Sequence, residues 1–150
     1  MSREFTRPLT TEEVEAVIPH RYPFRFLDSI IGFEDRVRAT GAYKVRGDEA
    51  LFEGHFPGIP IFPGVLLLES LAQLGVFFAR YSTGGCPPEK LIVFTGADEV
   101  KFRRAVVPGD ELRISMNEWK RRGPFWKLNG DIRVGDELAM SAIITAAEID

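Results

Sequence analysis

Residues 53–73 constrain this chain more than any other stretch, because they join two segments that cannot share one kind of structure. In the first half Pro57, Pro60 and Pro63 recur every third residue, with Gly54, Gly58 and Gly64 among them. Proline has a fixed φ and no backbone N–H, so this spacing predicts an extended rod, poor in hydrogen bonds and unfit for a sheet interior. The second half, from about residue 64 to residue 80, holds no proline and is apolar on nearly every face, broken only by Glu69, Ser70 and Gln73. That pattern predicts a helix buried in the protein.

At helical spacing Glu69 shares a stripe with Val65, Leu68, Ala72 and Val76, which predicts a carboxyl turned into apolar surroundings. Burial disfavours the charged form, so its pKa is expected to rise and the group to keep a proton that it can donate. Fourteen residues earlier stands His55, one of two histidines in the chain. The two make a candidate acid and base. Gly64, at the expected helix start, brings backbone N–H donors that lack intrahelical partners, with room for a ligand atom beside them. Such donors, backed by the helix dipole, can hold a carbonyl oxygen while negative charge develops on it. Each feature also has a plain structural reading: a histidine among glycines, a hydrogen-bonded buried glutamate, a connecting rod. Their convergence within one short stretch favours chemistry.

Gly54-His55-Phe56-Pro57-Gly58, Phe62-Pro63-Gly64-Val65 and Leu68-Glu69-Ser70-Leu71-Ala72-Gln73 resemble the signature of the 3-hydroxyacyl-[acyl carrier protein] dehydratases that have a catalytic glutamate. Two further stretches match: Ile18-Pro19-His20-Arg21-Tyr22-Pro23-Phe24 with Leu27-Asp28, and Val100-Lys101-Phe102-Arg103-Arg104 running to Val107-Pro108-Gly109-Asp110. The resemblance covers most of the chain. It implies a hotdog fold, an α+β domain in which an antiparallel sheet wraps a long central apolar helix. It also implies conversion of a (3R)-3-hydroxyacyl thioester on acyl carrier protein to the trans-2-enoyl thioester, in bacterial-type fatty acid biosynthesis and without a cofactor. His55 would be the base, Glu69 the acid, and the Gly64 amide the donor to the thioester carbonyl. In the family the His and Glu of one site come from different subunits of a homodimer, and trimers of dimers are common.

Two departures from the family pattern stand out. Phe62 replaces a usual methionine and Ser70-Leu71 a usual alanine-methionine, which bears on acyl chain length rather than on the reaction. Glu69 in place of aspartate resembles the dehydratase-only branch, not the branch that also isomerises the double bond.

Phe56, Phe62, Val65, Leu66 and Phe77 are candidates for the acyl tunnel, with plain core as the alternative. Lys101, Arg103 and Arg104, and likewise Lys120, Arg121 and Arg122, form basic clusters that can steer an acidic carrier protein; solvated strand faces are the simpler account. For His20 a structural role is favoured, since the site already has its base. A hotdog acyl thioesterase, a non-catalytic acyl-binding module and a dehydratase of a specialised lipid or polyketide pathway remain as alternatives.

The rest of the chain fits one α+β domain of 150 residues. A net charge of −3 argues against nucleic-acid binding, and a single cysteine, Cys86, suits a reducing compartment such as the cytoplasm. The first twenty residues lack the apolar core of a signal peptide, and no run approaches a membrane span. The histidines and the cysteine are too dispersed for a metal site, and no nucleotide-binding or nucleophile-elbow motif occurs. Thr10 with Glu13 predicts a capped short helix that Pro19 stops. Strands are expected over residues 24–33 and 36–45, and four more after a loop at 82–89, with turns at Pro108-Gly109-Asp110, Gly123-Pro124 and Gly135-Asp136. Residues 126–134 alternate apolar and polar, as for a strand with one wet face. Residues 138–147 are apolar on both faces, as for a central or interface strand.

Overall fold

Thr10 caps the first helix in the way its spacing from Glu13 predicts. The Thr10 hydroxyl accepts from the Glu13 amide at 3.2 Å, and the Glu13 carboxylate accepts from the Thr10 amide at 3.0 Å. The computed structural model describes residue 5 and residues 7–150, with nothing stated for the Glu118 side chain; the reading of the first twenty residues falls partly outside them. Helix α1 (Thr11–Glu15) is followed by strands β1 (Ser29–Glu34) and β2 (Arg38–Lys44), then the long helix α2 (Gly64–Tyr81). Strands β3 (Leu91–Phe102), β4 (Glu111–Arg122), β5 (Phe125–Val134) and β6 (Glu137–Ile149) complete the chain.

All six strands form one antiparallel sheet in the order β1-β2-β4-β5-β6-β3. The two-residue alternation turns one face of β4, β5 and β6 inward. Leu112, Ile114, Trp126, Leu128, Ile132, Met140, Ala142 and Ile144 are buried there against α2. The helix contributes Leu67, Leu71, Leu74, Phe77 and Phe78 to the same core. Each such side chain stabilises the fold by roughly 1.5–3 kcal/mol. Glycines let helix and sheet approach closely, since a Cβ at Gly130 would lie 2.6 Å from Leu71 and one at Gly75 2.4 Å from Leu128. The antiparallel sheet around a central helix is the expected hotdog architecture, and β6 is an interior strand between β5 and β3, as its two apolar faces require.

Three expectations need correction. The first strand starts at Ser29 rather than near residue 24, because the Gln73 side chain takes the place of a neighbouring strand: it accepts from the Phe26 amide at 2.8 Å and donates to the Phe24 carbonyl at 2.9 Å. By length and a mean hydropathy of 1.2, α2 does reach what a bilayer crossing requires, although 56% of it is buried inside this protein, the position of a core helix. Its first turns are less covered than the apolar pattern implied, with Val65 70% exposed.

Candidate active site

His55 is held by a loop that closes on itself. Phe56 and Ile59 exchange backbone hydrogen bonds at 3.0 and 2.9 Å around Pro57 and Gly58, and Gly58 takes a φ of +75°, the arrangement of a type II turn. The Ile61 amide then donates to the His55 carbonyl at 3.0 Å. The proline spacing predicts a rod poor in hydrogen bonds; the left-handed Gly58 reverses the chain instead, and the part without turn structure shrinks mainly to residues 60–63. The His55–Phe56 and Tyr22–Pro23 peptide bonds are cis.

That loop also fixes the imidazole. His55 Nδ1 lies 2.7 Å from the Ile61 carbonyl oxygen. A carbonyl can only accept, so Nδ1 carries the hydrogen and Nε2 keeps its lone pair. The ring stacks on Phe56 with centroids 4.1 Å apart. The result is an oriented base whose Nε2 has no hydrogen-bond partner among the described residues.

Gly64 opens α2 behind Pro63, and the helix's first N–H groups have no intrahelical acceptor. Its missing side chain serves a different purpose from the one expected. A Cβ at Gly64 would stand 3.0–3.2 Å from the Phe102 ring, so that ring occupies the space beside the Cα, while the amides at the helix end remain donors.

Glu69 sits five residues further along α2, where its side chain is 18% exposed. Burial raises its pKa, and the Gln73 amide, donating to Oε2 at 2.9 Å, opposes the rise. The Gln73 orientation follows from its other bonds, because its oxygen must accept from the Phe26 amide. Beside Glu69 stands His20, with Nε2 3.7 Å from Oε2, a neighbour that sequence spacing did not suggest. Among the described residues no hydrogen bond or ion pair joins His55 to Glu69 within the chain.

The flanking family motifs do structural work. Arg21 donates to the carbonyls of Glu15, Ile18 and His20, closing the end of α1, and Asp28 accepts from the Lys44 amide and from Arg46. Asp110 accepts from Arg104 at 2.9 Å and from the Val107 amide at 3.0 Å. Together with Gly109, whose amide donates to Val45, it builds the turn whose Val106 carbonyl receives the Phe62 amide.

Of the tunnel candidates, Phe62 and Phe77 are buried in the core of this one chain, Phe62 among Phe26, Tyr43 and Phe52, and Phe77 stacked on Tyr81. Phe56 and Val65 are exposed, and Leu66 lines a cavity of about 550 Å³ with Tyr22, Phe26, Tyr43 and Arg46. The two basic clusters are separated. Phe102 pairs with Met140 at one end of the sheet, whereas Arg122 pairs with Phe125, and Phe125 with Ala147, at the other. A strand the length of β3 spans roughly 35 Å. The cluster of Lys101, Arg103 and Arg104 adjoins Gly64 through Phe102, while that of Lys120, Arg121 and Arg122 is remote within the chain. Arg104 is engaged by Asp110 and Glu137, and Arg121 by Glu148 and the Trp126 ring, while Lys101, Arg103, Lys120 and Arg122 make no ion pair among the described residues.

Residues 18–143 match the FabA-like domain family. The chain belongs to that family. It is 43% identical over 137 residues to the 3-hydroxyacyl-[acyl-carrier-protein] dehydratase FabZ of Pelotomaculum thermopropionicum, covering 89% of this chain and 94% of that one. It is 44% identical over 142 residues to the FabZ of Alkaliphilus metalliredigens, covering 95% of each chain. Among solved structures, the dehydratase heterocomplex ApeI:P from Xenorhabdus doucetiae superposes with a TM-score of 0.73 at 20% identity, over 91% of each chain. The fluoroacetyl-CoA thioesterase FlK superposes with a TM-score of 0.62 at 16% identity, over 79% of this chain and 89% of that one. At such identities the structural likeness establishes the hotdog fold, and the FabZ relatives carry the chemistry.

Proposed function

We propose that this chain is a hydro-lyase that removes water from (3R)-3-hydroxyacyl thioesters on acyl carrier protein, giving the trans-2-enoyl thioester for fatty acid biosynthesis. The observation that carries the reading is the complementarity of its two groups: an imidazole whose Nε2 lone pair is free, and a carboxyl that burial holds toward its protonated form. His55 Nε2 takes the proton from C2. The thioester oxygen, held by the Gly64 amide, bears the developing negative charge. As the C3–O bond breaks, Glu69 gives its proton to the departing hydroxyl, and water leaves. The proton on His55 then returns to solvent and Glu69 regains one, so the cycle needs no cofactor.

The site is shared between two copies. Within one chain His55 belongs to the loop 55–61, while Glu69 faces His20 and Gln73, and among the described residues no hydrogen bond or ion pair joins the two. Strand β3 supports a homodimer: it is a sheet edge 12 residues long with Leu91, Val93, Phe94 and Phe102 exposed, the surface that a second β3 would cover. Phe56 and Val65, exposed beside the helix start, become tunnel walls once that copy is present, together with Leu66. Phe62 and Phe77 support these walls from the core. Such dimers would assemble in threes in the cytoplasm, where the carrier-bound substrates are made.

The assay that tests the reaction follows enoyl thioester and free thiol together from 3-hydroxybutyryl carrier protein. Enoyl product without thiol release is expected; thiol release would make the chain a thioesterase, and neither product would leave an acyl-binding module. For docking, Arg103→Glu should raise KM for the carrier-bound substrate about tenfold and Arg122→Glu by less, with neither changing KM for a pantetheine thioester. Equal rises would remove the preference for the 101–104 cluster.

A further inference from the structure

His20 is the one titratable side chain within ion-pair range of Glu69 among the described residues. It occupies the chain between α1 and β1, its place fixed by Pro19 before it and by Arg21, whose guanidinium is turned away to three backbone carbonyls. A ring that merely filled space between α1 and α2 would have no reason to aim a nitrogen at a carboxylate. His20 does so: Nε2 lies 3.7 Å from Glu69 Oε2, the same oxygen that receives the Gln73 amide at 2.9 Å. Its other nitrogen, Nδ1, is buried with no hydrogen-bond partner among the described residues. A hydrogen on Nδ1 would have nothing to meet, so the neutral ring carries its hydrogen on Nε2, facing the carboxyl.

The charged groups around the ring agree. Burial first, then the positive charges of Arg21 and Arg80, hold His20 below its usual range, so it meets Glu69 as a neutral donor and not as an ion. Arg80 spends its guanidinium on the carbonyls of Pro88 and Lys90.

We propose that His20 is a positioning residue for Glu69: with Gln73 it directs two donors at Oε2, which leaves Oε1 to carry the transferable proton and steadies the carboxylate once that proton is gone. This rests on the reading of Glu69 as the acid. The gap of 3.7 Å closes to a hydrogen bond when the carboxyl ionises, since an N–H donor is drawn more strongly to a charged acceptor.

Two variants separate this from a structural role. His20→Leu removes the donor; His20→Gln keeps one. The Glu69 carboxyl is titrated by carbon-13 NMR, identified by its absence in Glu69→Gln, and kcat is measured against pH for the same proteins. In His20→Leu the Glu69 titration and the alkaline limb of kcat should both move up by about one pH unit, with kcat down about tenfold and KM little changed. His20→Gln should return both toward the native values. An unmoved titration in His20→Leu, or identical behaviour of the two variants, would overturn the proposal. If His20→Leu does not fold, nitrogen-15 spectra of the native protein decide: an Nε2–H tautomer whose shift changes in Glu69→Gln supports it, and an Nδ1–H tautomer overturns it. The NMR titration needs no substrate, so a failure of the dehydratase reading would show separately, as absence of enoyl product from the native chain.

Discussion

Replacing His55 with alanine should lower kcat for enoyl formation by about 10³-fold while leaving the melting temperature near the native value. The size follows from what the imidazole supplies. The Nδ1–H bond to the Ile61 carbonyl settles which nitrogen is the base, and no other basic side chain contacts the His55 ring among the described residues. Stability should change little because the ring sits on a surface loop whose own backbone bonds, between Phe56 and Ile59 and between Ile61 and His55, survive the substitution. The check is single-turnover kinetics beside a thermal melt. A variant that keeps a tenth or more of the native rate would show that the proton leaves C2 by another route.

Glu69→Gln should have two opposite effects. The amide cannot donate the acidic proton, so kcat should fall by about 10²–10³-fold with KM nearly unchanged. Stability should rise instead, and only at higher pH. Burial raises the Glu69 pKa in the folded chain above its unfolded value. The stability contributed by that raised pKa is present in full below the unfolded pKa and is lost as pH climbs through the folded one. Glutamine does not titrate and keeps the bond from Gln73, so the variant should melt a few degrees above the native protein near pH 8 and level with it near pH 4. Melts at the two pH values test this; a variant less stable than the native protein at both would mean that the ionised carboxylate is itself well accommodated.

Much of this was legible in the sequence because it is local. The capping box at Thr10 and Glu13, the apolar period of α2 and the alternation of residues 126–134 are each set by neighbours within a few positions. His55 and Glu69 could likewise be picked out as a candidate base and acid from one stretch, because that selection needs only the residue types near a helix start. What stayed hidden depends on residues far apart in the chain. Gln73 replaces a strand for Phe24 and Phe26 across 47 to 49 positions, which no propensity reveals. Phe102 fills the space beside Gly64, and His20 arrives next to Glu69, only because the sheet and the segment after α1 close on α2. The basic clusters resemble each other in sequence, yet the strand directions carry them to opposite ends of the sheet, and Asp110 and Glu148 engage one arginine from each. The loop 55–61 was misread for a smaller reason, one glycine in the left-handed region.

We propose that His55 of one copy and Glu69 of another act on the same hydroxyacyl thioester. Equal amounts of His55→Ala and Glu69→Gln chains, each inactive alone, can be unfolded together, reassembled and assayed for enoyl product. If the site is shared, about half of the dimers are mixed and each of these holds one intact site, so roughly a quarter of the native activity should return. Activity no higher than that of the parent variants, in a mixture shown to contain mixed dimers, would place both groups in a single chain and contradict the account.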